Sequence, residues 1–154
     1  MIKYKVDITK IKKLIEDENT DLRVIGRELN NDPIYTAINT KNFEVMKIIF
    51  DTNGDLINMK SPGGLKPVHW AVVHGVKCLE TLIPYGVDFE SKTYPIGYTP
   101  LAMACMVSNF EVIEYLVETV GVEIDSKSRR IIEEEIDLIE FKNRVLELFR
   151  RNTY

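Results

Sequence analysis

Cysteine is scarce in this sequence: Cys78 and Cys105 are the only two in 154 residues, 27 positions apart and each beside apolar neighbours. That spacing forms no CxxC pair and no metal finger, so two reduced, buried thiols are expected. Histidine is as rare. His69 and His74 lie five apart, whereas a spacing of four sets two imidazoles on one helix face, so no metal site is expected. The sequence has no Gly-rich phosphate loop, no G-x-S-x-G elbow and no H-E-x-x-H, and no cysteine lies near a plausible base. Catalytic residues, cofactors and metals are therefore not assigned, and a non-enzymatic protein is expected. An excess of positive charge is also missing. Twenty-four acidic against twenty basic side chains leave a net charge of −4, with no long block of either sign, which gives nucleic acid no general attraction. The longest charge-free stretch, Thr93 to Phe110, is interrupted by Pro95, Gly97 and Pro100, so no membrane-spanning helix is expected. Charges at Asp7, Lys10, Lys12 and Lys13 leave no apolar core of signal-peptide length, and the expected location is the cytoplasm. What remains is ordinary globular composition, 45% apolar and 29% charged. The length suits about one domain at the usual roughly 100–200 residues each.

The sequence does have a repeat. Asp32-Pro33-Ile34-Tyr35-Thr36-Ala37, Lys66-Pro67-Val68-His69-Trp70-Ala71 and Thr99-Pro100-Leu101-Ala102-Met103-Ala104 share one pattern, with their prolines 34 and then 33 residues apart. A shift of 67 also lays Asn42-Phe43-Glu44-Val45 on Asn109-Phe110-Glu111-Val112, and Gly54 on Gly121, without a gap. One register explains every match. Each copy reads as a turn, a proline at a first helical position, an apolar helix, a polar break, and a second apolar helix that ends at glycine. Proline suits the first helical turn because its missing N–H has no partner there, and Asp32 or Thr99 just before it can cap the free amides. Lys66 has no acceptor for that job, a loss on the order of 1 kcal/mol. Phe43, Met46, Ile49 and Phe50, and in the third copy Phe110, Ile113, Leu116 and Val117, form one face of each second helix. Gly54, Gly86 and Gly121 then suit a left-handed helix end. Between units, Lys60 to Leu65 and Lys92 to Tyr98 carry Pro and Gly and predict projecting hairpins. One helix pair cannot bury both its faces, so stacking of about three is required.

These residues resemble the ankyrin-repeat family, whose 33-residue unit has a T-P-L-H-x-A core and a G-A-D-V-N ending. Gly97-Tyr98-Thr99-Pro100-Leu101 through Ala104 is the nearest match, and Gly86-Val87-Asp88-Phe89-Glu90 resembles the ending. The resemblance runs from about Arg27 to Lys127. It implies an all-α solenoid of stacked helix-turn-helix units with hairpin loops and helical end caps. On this reading residues 1–154 form one domain: a capping helix over 1–26, repeats over 27–60, 61–93 and 94–127, and capping helices over 128–154. The copies differ in length: the middle one has one residue fewer between Ala71 and Leu82, and the outer two carry two extra before Gly54 and Gly121. Beyond Lys127, Ile131, Ile132, Ile136, Ile139, Val145, Leu146 and Phe149 mark helix. This stretch is either one rod or two helices, and the capping-box pattern of Asp137 and Glu140 favours a break there. Glu140 with Arg144 and Glu147 with Arg151 are spaced as i, i+4 pairs.

The resemblance also implies function: a protein partner gripped by the hairpin fingers and the concave face lined by first helices. His69 falls on the family's T-P-L-H position, where it ties backbone together. The concave ends map to Asn39 and Thr40, Val73 and His74, and Met106 and Val107. The fingers offer Pro62, Leu65, Tyr94, Ile96 and Tyr98, where exposed aromatics can anchor a partner or can pack between neighbouring fingers. The expected partner is another protein, with no nucleic acid and no membrane, and the chain is read as a monomer. The alternative is self-association or partner docking through the C-terminal helix, where Ile132, Ile136, Ile139 and Leu146 trace a partial heptad. A carboxylate site at Glu133, Glu134 and Glu135 is disfavoured, because adjacent residues point around a helix and not together.

Overall fold

The computed structural model describes Thr9, Lys13, residues 33–61 and residues 63–153. The expected capping helix over 1–26, apart from Thr9 and Lys13, Asp32 as a cap, and Pro62 lie outside the described residues.

Proline opens the first helix of every repeat: α1 (Pro33–Asn39), α3 (Pro67–His74) and α5 (Pro100–Met106). Their partners are α2 (Phe43–Thr52), α4 (Val76–Leu82) and α6 (Phe110–Glu114). Two further helices, α7 (Ser126–Arg130) and α8 (Ile139–Arg151), follow, and no strand occurs among the described residues. First helices stack in chain order, α1 on α3, α3 on α5 and α5 on α7, while α2 packs on α4 and α8 on α6. One continuous core runs through the stack, from Ile38, Met46 and Phe50 through Val72, Leu79 and Leu82 to Ile113, Leu116, Ile132 and Phe149. Burying each such side chain contributes about 1.5–3 kcal/mol, and no single helix pair could supply that total alone. Both cysteines are free and buried, and burial pushes their thiols above the ordinary range.

Asparagine starts the second helices as the 67-residue shift implies. Asn42 Oδ1 accepts from the Val45 amide at 3.1 Å and Asn109 Oδ1 from the Val112 amide at 3.3 Å. The preceding Lys41 and Ser108 share a left-handed backbone, φ 53° and 54°. In the shorter middle copy one residue, Gly75 at φ 114°, makes the same turn, which a side chain would oppose. Extra length in the third copy is absorbed differently: Tyr115–Val120 widens into π-helical turns before Gly121. Gly86 and Gly121 are left-handed as expected, but Gly54 is not. There α2 ends on extended Asn53, whose side chain accepts from the Asp55 amide at 3.2 Å and starts a tight 3-10 turn at Gly54–Asn58.

At the C-terminus α7 continues through wide turns at Ile131–Glu135 and then breaks, with Ile136 extended. The break falls beside Asp137, but Leu138 occupies the cap position of α8 and no side chain caps it. The expected ion pairs along α8 do not form. Arg144 instead sits 3.8 Å from the Phe110 ring centre, and Arg151 reaches Glu118 on the preceding repeat at 3.6 Å. These arginines cross to the third repeat because α8 packs there, with Phe141 edge-on to Phe110.

Candidate functional site

Two backbone ties of the same shape build the fingers. In the first, the Ser61 amide donates to the Leu65 carbonyl at 2.8 Å and the Leu65 amide donates to Ser61 Oγ at 3.2 Å. In the second, the Thr93 amide donates to the Tyr98 carbonyl at 2.9 Å and the Tyr98 amide to Thr93 Oγ1 at 2.9 Å. The longer second finger includes a cis Tyr94–Pro95 bond. The two fingers touch where Gly64, at φ 74°, lies so close to Tyr94 that a Cβ there would meet the Tyr94 Cβ at 3.0 Å and its nitrogen at 3.1 Å. Only glycine fits both the conformation and the gap.

His69 anchors this edge to the stack. Its Nδ1 accepts from the Lys66 amide at 2.9 Å, so Nε2 carries the hydrogen and donates to the Ser91 carbonyl at 3.1 Å. The ring thus joins the start of α3 to the segment that enters the second finger. Burial lowers its pKa below 6.5, and the nearby Lys66 charge lowers it further. His69 is buried and has both nitrogens engaged, a structural histidine. Lys66 bonds Asp88 at 3.0 Å. In the third repeat Thr99 does the equivalent work: its Oγ1 accepts from the Ala102 amide at 3.1 Å and donates to Asp125 at 2.8 Å. Asp125 in turn caps α7 through the Ser128 amide and hydroxyl. Burial alone would raise the Asp125 pKa, but the Ser128 and Thr99 hydrogen bonds hold it below the ordinary value.

The sequence-derived candidates fall into three groups. Tyr94 is 79% exposed and Ile96 57% exposed at the tip of the second finger. Leu65 and Tyr98 are half-buried, and Tyr98 packs on the core beneath the Lys127 ammonium, 5.0 Å from the ring centre. At the ends of the first helices, Asn39, Thr40, Val73, Met106 and Val107 are exposed and His74 is half-exposed. Sequence reasoning missed Tyr35 and Trp70, whose rings meet edge-on at 4.9 Å across two repeats. Trp70 and Met103 stand three residues after their prolines, at the variable position of the repeat core, and Tyr35 stands two after Pro33. That register was available as a signal. Together with Val73 and Met106 they give the first-helix surface an apolar stripe.

Among the described residues, no three His, Cys, Asp or Glu side chains are grouped to hold a metal ion, and no helix is long and apolar enough to cross a membrane. Stacked helix pairs that share one core, joined by projecting fingers, define a helical-repeat solenoid. The family description of ankyrin repeats, in three copies, matches residues 34–128, and the chain belongs to the ankyrin-repeat family. No curated protein matches the chain. Ankyrin repeats are generally protein–protein interaction modules and are typically non-enzymatic.

Proposed function

We propose that this chain is a non-catalytic cytoplasmic binding module that acts as a monomer and grips another protein with its fingers and first-helix ends. The observation that supports this reading best is the exposure of Tyr94 and Ile96 on a finger closed by the Thr93–Tyr98 tie and by the Gly97 amide donating to the Thr93 carbonyl. A rigid platform presents apolar anchors at little entropic cost, which is what a protein hot spot requires. Met106 and Val107, each nearly half exposed, extend the surface along the first-helix ends. Binding would neutralise or bridge the partner, with no chemical step.

The alternative, a seam along the C-terminal helices, has less support. Ile132 is completely buried, and Ile136 and Leu146 pack against the core. Of that partial heptad only Ile139 is exposed, at 74%.

The test is affinity capture from the cytosol of the source, comparing the native chain with a Tyr94→Ala, Ile96→Ala, Met106→Ala variant of unchanged circular dichroism. Tyr98 is left intact because it packs on the core. The reading requires that a specific partner be retained by the native chain and lost by the variant. Equal retention by both would remove the site from the fingers.

A further inference from the structure

We infer that the finger edge recognises a protein segment in which carboxylates flank an apolar side chain. This inference rests on the reading that the fingers bind protein. The chain as a whole is acidic, yet residues 59–66 and 91–99, which form the two fingers and their bases, contain Lys60, Lys66 and Lys92 and no Asp or Glu. The lysines are also in register. Asn58-Met59-Lys60-Ser61, Glu90-Ser91-Lys92-Thr93 and Asp125-Ser126-Lys127-Ser128 align, so one lysine precedes each hairpin or its truncated equivalent. Ser61 and Thr93 make the same hairpin ties, which sets Lys60 and Lys92 at equivalent places on neighbouring fingers. Stacked units place them about 10 Å apart.

The four ammonium groups differ in what they already hold. Lys66 is bound to Asp88, which cancels its charge locally. Lys127 donates to the Ile96 carbonyl and lies over the Tyr98 ring, bracing the second finger from the far side. Lys60 and Lys92 are exposed, and neither forms an ion pair among the described residues. Asp88, which Lys66 holds, and Glu90 are exposed carboxylates at this base, both ahead of the second hairpin. Two cations without an ion pair among the described residues therefore stand at equivalent places, one on the finger whose tip carries Tyr94 and Ile96 and one on its neighbour. The complementary ligand presents an apolar residue to the tip and acids to either side, with attraction that steers encounter and selects against basic segments.

The experiment is selection of a random 12-residue peptide display library on the full chain, followed by affinity measurement of the enriched peptides. Acid–apolar–acid patterns are expected. Their affinity should fall roughly thirtyfold in Lys60→Glu, Lys92→Glu, the sum of two exposed ion pairs near the top of their usual range, and should also fall in Tyr94→Ala, Ile96→Ala. The same library selected on the Lys60→Glu, Lys92→Glu chain should yield basic peptides. Enriched peptides that need Tyr94 and Ile96 but show no acidic bias would overturn this inference and leave the finger reading standing. Peptides indifferent to Tyr94 and Ile96, or no enrichment at all, would overturn both. Tighter binding of the oligonucleotide rU12 than of any selected peptide, or self-association that the lysine substitutions abolish, would give the edge to nucleic acid or to a second copy.

Discussion

The second and third repeats begin their first helices with the same proline but secure it by different chemistry. In the third, the Thr99 hydroxyl caps α5 and reaches Asp125, a pair that keeps its charge state between pH 5 and pH 8. In the second, Lys66 has no acceptor, and an imidazole holds the backbone on both sides through Lys66 and Ser91. Fold repetition therefore does not mean repetition of the forces. The second repeat, which supports both fingers, is the one whose integrity depends on a titrating ring.

The largest expected effect follows from removing that ring. His69→Ala leaves a part-buried amide and a buried carbonyl without partners and opens a cavity, and should cost about 3 kcal/mol in urea unfolding. A loss comparable to that of an exposed substitution would mean that solvent or neighbouring groups replace the ring. Thr99→Ala should cost less, about 1–2 kcal/mol, since it removes a cap and one bond to a carboxylate that keeps its Ser128 partners. Next comes pH. Because the folded pKa of His69 is lowered by burial, the unfolded chain takes up a proton near 6.5 that the folded chain refuses. Stability is therefore fully present above that pH and declines as the pH falls from about 7 towards 5.5. His74 shifts in the same direction through burial and the Lys41 charge and adds to the decline. Unfolding midpoints across this window should slope for the native chain and for Thr99→Ala, and should slope less in His69→Ala, where only the His74 contribution remains. Lys66→Ala should cost under about 1 kcal/mol, because its Asp88 partner is half in water. Tyr94→Ala should leave stability within about 0.5 kcal/mol, and a larger loss by thermal melting would make that ring a packing residue instead of an anchor.

Much of this architecture was legible because it rests on local signals that recur. The prolines, the helix-ending Gly86 and Gly121 and the position of His69 are each readable within a few residues. The features that were not legible depend on what meets across repeats. Tyr35 and Trp70 are 35 positions apart, and although the register places each near the variable position of its repeat core, it does not announce that their rings meet. Arg144 and Arg151 have suitable acids one turn away, but α8 packs on the third repeat and offers them Phe110 and Glu118 instead. The partial heptad failed for a related reason: the break at Ile136–Leu138 resets the helical phase, so residues counted across it do not share a face. That break leaves Leu138 and Ile139 exposed, whereas Val145, Leu148 and Phe149 face inward. Of the candidate site, the finger tip and the first-helix ends were placed by register alone. The division of labour within the finger was not, since Tyr98 turns towards the core and Tyr94 away from it through the course of one hairpin.

The most direct test of the central claim is amide hydrogen exchange of the native chain with its captured protein partner bound. The account predicts added protection at residues 93–98 and at 105–108, with the C-terminal helices unchanged. Protection confined to residues 136–146, with the fingers exchanging as in the free chain, would contradict it and move recognition to the C-terminal helices.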